Sequence, residues 1–205
     1  MSENTALPRK ANTKQKIIKV SSKLFSEQGY KGTSVRKIAS EVGIRESALY
    51  NHFKNKEEIF LCVAKEIFST PFSKDSADIK ESALRGKAFL QKFAMQYKLL
   101  TFDKNNENMF RLLMLELFQN RELREQFMLE FHDNNIKMFS EAFFIMMQNS
   151  MIRSGDPMMV AYEFISTLFY IRLQITLLRF DNTPTTALST QFEKHVEFFW
   201  ESIKL

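Results

Sequence analysis

The sequence predicts an all-α fold, and three observations carry that expectation. Five Gly and four Pro in 205 residues are too few to turn a chain between many short strands. Apolar residues recur at helical spacing in long stretches, without the strict alternation of half-buried strands. At 44% hydrophobic and 26% charged, the chain has enough apolar surface to bury a core, which excludes global disorder.

Taken in order, Met1 to Ala11 reads as a mobile basic arm whose Arg9 and Lys10 can touch phosphate. Helix is expected from Asn12, which forms a capping box with Gln15 ahead of Ile17, Ile18, Val20, Leu24 and Phe25, and to stop at Gly29. Thr33 or Ser34 then caps a short helix that runs through Ser40 and buries Val35, Ile38 and Ala39, leaving Arg36 and Lys37 outside. Gly43 and Ile44 turn the chain into a second short helix, Glu46 to Phe53, with Leu49 and Phe53 inward. Two short helices joined by a Gly-containing turn make a helix-turn-helix. Asn55 and Glu58 form a further capping box, opening a fourth helix with Ile59, Phe60, Val63 and Ile67.

Charge and composition divide the chain. Residues 1–65 carry 13 Lys plus Arg against 6 Asp plus Glu, whereas residues 66–205 carry 16 against 18. Eighteen of the 21 Phe lie in the second part. A basic module, 12–68, therefore precedes an apolar module, 69–205, suited to regulation or assembly. The single Cys62 cannot form an internal disulfide, and the first residues have no apolar run like a secretory signal, so a cytoplasmic protein is expected. Met158 to Leu178 has only Glu163 and Arg172 charged, but its scattered polar residues suit a helix between protein surfaces better than a membrane span.

The basic module has the chemistry of a DNA reader, because the second helix of such a motif fits the major groove. Arg45, Glu46, Ser47, Ala48 and Asn51 lie at its leading end or outer face. Arg can fork onto guanine, Asn onto adenine, and Glu can accept from cytosine amino groups. Thr33, Ser34, Arg36, Lys37, Tyr50, His52, Lys54 and Lys56 are expected as phosphate contacts that set register and affinity.

The run from Lys16 to Phe60, with LFSEQGYKGTSVRKIASEVGI followed by SALYNHFKNKEEIF, resembles the DNA-binding domain of TetR-family transcriptional regulators. That resemblance implies a homodimer on a two-fold symmetric double-stranded DNA operator, and a divergent carboxyl-terminal helical domain that binds a small effector. Two positions depart from the commoner pattern. Arg45 stands where a small hydroxyl residue often opens the reading helix, and Ser47 where Gly is frequent, so no operator sequence carries over.

The apolar module reads as a bundle of long helices. Phe89, Phe93, Tyr97 and Leu100 mark one helix after Pro71, and Met109 to Phe118 reads as a central helix buried nearly all round. Leu123, Phe127, Phe131, Met138, Ala142 and Ile145 mark another, ending near Gly155, after which Asp156 and Pro157 start the Met158–Leu178 helix. Leu188, Phe192, Val196, Phe199 and Ile203 stripe the last. On the family's pattern the last two helices pair across a two-fold axis, so dimer contacts fall to the Met158–Leu178 helix and to Phe192, Val196, Phe199 and Ile203. An apolar or amphipathic effector is assigned to Phe93, Tyr97, Phe110, Met114, Phe131, Tyr162 and Phe164, with Gln96, Arg111, His132 and Gln174 as further polar handles, although residues such as Phe93, Phe110 and Phe164 read equally as core. No metal-ligand pair at helical spacing, phosphate-cradling Gly loop or nucleophile elbow occurs, so neither metal, cofactor nor catalysis is expected. The rival reading is a DNA-binding assembly protein of the same fold without an effector.

Overall fold

The periodicities of the sequence become helices in a computed structural model of the chain, which describes residues 9–68 and 76–205. The described residues form α1 (Arg9–Gly32), α2 (Val35–Val42), α3 (Glu46–Leu49), α4 (Lys56–Phe68), α5 (Ser76–Ala83), α6 (Lys87–Phe102), α7 (Lys104–Leu117), α8 (Arg121–Gln126), α9 (Asn134–Gln148), α10 (Pro157–Phe180) and α11 (Gln191–Ile203). A π-helical turn, Phe127–Asp133, separates α8 from α9, and a 3-10 turn, Thr186–Thr190, precedes α11. Among the described residues no strand occurs, only an isolated antiparallel bridge between Ile152 and Lys204.

Three expectations need correction. Helix α1 begins at Arg9, so Asn12 lies inside it and caps nothing, while residues 1–8 of the expected arm lie outside the described residues. Gly29, at φ 73°, does break the helix as expected, although a further turn runs on to Gly32. Helix α7 is not buried all round. It buries Met109, Phe110 and Leu113, whereas Leu115 is 61% and Phe118 85% exposed. Finally, the stripe from Leu123 to Ile145 is not one helix, because the π-helical turn interrupts it.

The chain folds into two compact units, and the division differs from a cut at Phe68. One unit comprises residues 1–68 and 104–127, the other 69–103 and 128–205. In the first, Ile17, Phe25, Ile38, Leu49, Phe53 and Phe60 are buried together with Met109, Phe110 and Leu113 of α7 and Leu123 of α8. Phe25 and Phe60 meet edge-on, 5.4 Å between centroids, and Tyr30 lies 4.7 Å from Phe60. Asn105 clasps α7 to α1, accepting from the Ser26 hydroxyl at 2.8 Å and donating to Ser22 Oγ at 3.2 Å. Asn120 caps α8 by accepting from the Leu123 amide at 2.9 Å, and it donates to the Glu57 carboxylate of α4 at 3.2 Å.

The second unit is built on aromatic rings. Phe164 of α10 lies 5.0 Å from Phe139 of α9 and 5.1 Å from Phe199 of α11, and Phe93 of α6 meets Phe139 edge-on at 4.7 Å. Asp156 caps α10 as expected, accepting from the Met158 amide at 2.9 Å, with Pro157 in the first turn. Lys98 of α6 pairs with Glu193 of α11 at 2.6 Å. His195 is stacked on Phe164, 5.4 Å between centroids, and its Nε2 donates to the Phe164 carbonyl at 3.0 Å, so that nitrogen carries the proton. Burial holds the imidazole pKa below its ordinary 6.5, against the opposing pull of that carbonyl.

Two outcomes are expected. Phe164→Ala removes the central ring of a close-packed cluster and should cost about 3–5 kcal/mol in urea unfolding followed by fluorescence of Trp200, the single tryptophan. Because the folded state disfavours the charged form of His195, its contribution is complete above pH 6.5 and is lost as pH falls below that value toward the depressed folded pKa. His195→Gln should therefore flatten the fall in stability between about pH 7 and about pH 5.5 relative to the parent protein. An unchanged slope contradicts the assignment.

Candidate nucleic-acid interface

The helix-turn-helix is built on backbone geometry that the sequence dictates. Ser34 caps α2, its hydroxyl oxygen accepting from the Lys37 amide at 3.2 Å. Gly43 ends α2 in the left-handed conformation, φ 79° and ψ 34°, a region where a side chain costs energy. Its amide and that of Ile44 return to the Ser40 and Ala39 carbonyls at 3.1 and 3.0 Å. Arg45 then opens α3 in an extended conformation without a side-chain cap, as its departure from the family pattern implies. The helix proper spans Glu46–Leu49 and continues to Phe53 as tighter turns, the His52 amide donating to the Leu49 carbonyl at 2.9 Å. Leu49 and Phe53 are fully buried beneath it, so Arg45, Glu46, Ser47, Tyr50 and Asn51 stand outside.

Most of the expected phosphate contacts lie at or near the surface. Ser34, Arg36, Lys37 and Lys54 are exposed and His52 is half-buried. Lys37 is partly engaged, its Nζ donating to Gln28 Oε1 at 2.8 Å. Asn55 caps α4 by accepting from the Glu58 amide at 2.8 Å. Glu58 in turn accepts from the Lys54 amide at 2.6 Å, one residue earlier than a capping box requires.

Two expected phosphate contacts are instead internal braces. Thr33 is buried, and its hydroxyl donates toward the Gly29 carbonyl at 3.0 Å and the Leu24 carbonyl at 3.3 Å, closing the end of α1. Lys56 Nζ donates to the Tyr30 carbonyl at 2.8 Å and the Thr33 carbonyl at 2.9 Å, and lies 4.2 Å from the centre of the Tyr30 ring. Burial holds its pKa below the ordinary lysine value. Carbonyl oxygens freed by the break at Gly29 need donors, and a long cation at the start of α4 reaches them.

The residues assigned to an effector do not converge. Phe93, Tyr97 and Phe164 are buried in the ring cluster of the second unit, where the Arg172 guanidinium lies 5.5 Å from the Tyr97 ring centre. Burial raises the Tyr97 pKa, and the neighbouring Arg172 opposes that shift. Phe110 is buried and Met114 half-buried in the first unit. The side chain of Phe131 lies outside the described residues. Tyr162 alone among the assigned residues lines an open groove of about 610 Å3 between α9 and α10, together with His132, which the sequence suggested as a handle. Their rings are 5.4 Å apart. Ser140, Glu141 and Phe144 of that groove escaped the sequence reading, because they belong to no apolar stripe.

The dimer assignment is corrected in the same way. Phe192, Val196 and Phe199 face the interior of their own unit, and Ile203 is half-buried. The apolar residues that α10 and α11 expose are others, among them Met159, Tyr170, Leu177 and Phe198, which is 77% exposed. The stripe along α11 is strong because its Phe199 packs against Phe143 and Phe164, and periodicity cannot distinguish a core from an interface. Among the described residues no helix is long and apolar enough to cross a membrane.

Comparison with known proteins bears on this arrangement. Residues 17–63 match the family described as bacterial regulatory proteins, tetR family. The fatty acid metabolism regulator protein of Bacillus subtilis (strain 168) is 32% identical over 111 residues, 54% of this chain and 56% of that protein. The chain spans about half or less of the length of the curated relatives it first matches. Among solved structures, a protein of Mesorhizobium loti assigned to the TetR family superposes with a TM-score of 0.77 at 20% identity, covering 97% of this chain and 100% of that one. SmeT, the repressor of the Stenotrophomonas maltophilia multidrug efflux pump SmeDEF, gives 0.67 at 15% identity over 94% of this chain and 90% of its own, and has also been solved with triclosan. The named relatives are regulators, not enzymes. Residues 17–63 thus carry the helix-turn-helix of the bacterial regulatory proteins of the tetR family, and the chain as a whole has the fold of the Mesorhizobium loti protein.

Proposed function

We propose that the protein is a cytoplasmic, sequence-specific repressor that binds a palindromic operator as a homodimer and is released by an apolar or amphipathic small molecule. The carrying observation is the exposed row Arg45, Glu46, Ser47 and Asn51 on a short helix pinned by buried Leu49 and Phe53. Such a row offers guanine, cytosine and adenine partners in one groove, while Ser34, Arg36, Lys37 and Tyr50 supply phosphate contacts from either side.

A single short helix reads few base pairs, so two heads held about one helical turn of DNA apart are needed for specificity. The exposed side of α10, where Met159, Tyr170 and Leu177 share a face by helical spacing, supports pairing there with a second copy, joined by Phe198 of α11. The effector reading draws support from the α9–α10 groove and from the triclosan complex of SmeT. A ligand that prefers the heads at the wrong separation lowers operator affinity by the same factor by which DNA lowers ligand affinity, typically about 1–3 kcal/mol.

Selection from random duplexes should yield a palindrome, and size-exclusion chromatography with light scattering should give a dimer. A strictly monomeric protein, or one without preference among duplexes, contradicts the reading. Asn51→Ala should relax preference at one position of each half-site, costing about 1–3 kcal/mol on the preferred duplex alone. A uniform loss on all duplexes would remove Asn51 from base reading. Lys56→Ala should weaken every duplex together with a fall in thermal midpoint, because it releases two carbonyls rather than a phosphate. Gly43→Ala should destabilise the head by about 1 kcal/mol or more in urea titration.

A further inference from the structure

The outer face of α10 and α11 carries both a knob and a hollow. Phe198 of α11 stands 77% exposed, and beside it lies a groove of about 490 Å3 between the two helices, walled by Met159, Val160, Phe199 and Ile203. Under a two-fold axis one patch meets itself, so a projection and a hollow on the same surface fill each other twice. Charge follows the same pattern. Glu163 of α10 lines the groove, and Lys194 precedes Phe198 by about one helical turn. Both are exposed, and neither side chain has an ion pair or hydrogen bond to another described residue. An acidic and a basic group left single on one face are complementary to the same face of a second copy.

His195 lines the same groove. Its ring is stacked on Phe164 and lies 5.7 Å from Phe199, and its Nε2 proton is committed to the Phe164 carbonyl. Nδ1 has no hydrogen-bond partner among the described residues. A proton added there brings a charge and a donor that the apolar wall cannot satisfy, and burial already holds the imidazole below its ordinary pKa. Few other charges act on the ring. Glu163 shares the groove from α10, and Lys194 adjoins His195 on α11. The 3-10 turn Thr186–Thr190 contributes no ionisable group, and Arg153 meets the far end of α11 through its amide, which donates to the Ile203 carbonyl. Lys98 and Lys87 of α6 are paired with Glu193 and Glu197, on the opposite side of α11 by helical spacing.

We infer that two copies pair at this face with Phe198 of each seated in the α10–α11 groove of the other, and that protonation of His195 opens the pair. The proton gate rests on the homodimer reading above, whereas that reading does not need the gate. A partner ring over the groove takes water away from Nδ1, so the charged imidazole costs more in the pair than in the free protomer. Pairing is therefore complete above the protomer's His195 pKa, which lies below 6.5, and weakens as pH falls through it. Each pair holds two such histidines, so dissociation steepens toward two protons taken up per dimer. Operator binding that needs two heads follows the pair.

Sedimentation equilibrium of the full chain from about pH 7.5 to about pH 5.5, with circular dichroism at each pH, tests both halves. The dimer dissociation constant should rise at least about tenfold across that range while the helical signal holds. His195→Gln, neutral throughout and able to donate to the Phe164 carbonyl, should keep the constant level within about threefold. Phe198→Ala, at an exposed position, should weaken pairing at least about tenfold at the upper pH with unchanged circular dichroism. Lys194→Glu should weaken pairing as well, and adding Glu163→Lys should restore it. A dimer indifferent to pH, a pH response that survives His195→Gln, or dissociation that only tracks loss of helix each overturns the gate. A dimer untouched by Phe198→Ala overturns the seating. A protein monomeric at every pH overturns the homodimer reading itself, and the gate with it.

Discussion

Everything this protein can do with DNA depends on the burial of Leu49 and Phe53. A helix of one regular turn cannot hold itself together in water, because nucleation fixes more dihedrals than its hydrogen bonds repay. Helix α3, Glu46–Leu49, is that short. It exists because its two inward side chains complete a core made by Ile17, Phe25, Ile38 and Phe60, and because Gly43 permits the turn that aims it. The outward residues inherit their position from the inward ones. Substitution at exposed Arg45 or Asn51 therefore leaves the fold intact, whereas the apolar pair beneath cannot become polar.

The same logic separates what was legible in the sequence from what was not. Caps and breaks were legible, since Ser34, Asn55, Asp156 and Gly43 act through their own backbone within a few residues. The exposed face of α3 was legible because it is the complement of a clear apolar face. Longer-range assignments failed where one residue type serves two purposes. Thr33 and Lys56 have the chemistry of phosphate contacts, but carbonyls released near Gly29 lie within their reach and take them inward. Phe192, Val196 and Phe199 mark a strong stripe, yet a stripe records burial without saying which surface does the burying. The π-helical turn at Phe127–Asp133 has no local signal, because it is a change of hydrogen-bond register rather than of composition.

Connectivity bears on how two sites on one chain can influence each other. The chain passes between its two compact units at Phe68–Ser69, Asp103–Lys104 and Phe127–Met128, so α7 and α8 belong with the reading head although they follow α6. On the effector reading, linkage therefore need not run through α4 alone. Helix α7 is fastened to α1 by Asn105, and α8 to α4 by Asn120. The third passage falls in the π-helical turn, whose far end carries His132 and Asp133 into the α9–α10 groove. π-Helical turns often occur at functional sites.

The internal use of lysines also shapes the electrostatics of the head. Residues 1–65 hold 13 Lys plus Arg, but position decides which of them an approaching polyanion meets with its full hydrogen-bonding capacity. Lys16 donates to the Val42 carbonyl at 2.9 Å, Lys56 to two carbonyls, and Lys37 in part to Gln28. These bonds satisfy neutral oxygens, so the positive charge is not cancelled and still contributes to long-range attraction. What is lost is the freedom to form a close phosphate contact, and only close contacts displace condensed counterions one for one. A head of this kind attracts duplex DNA through its whole charge but holds it through fewer groups. On the proposed reading, more of the discrimination then rests on Arg45, Glu46 and Asn51, whose geometry the buried pair beneath them sets.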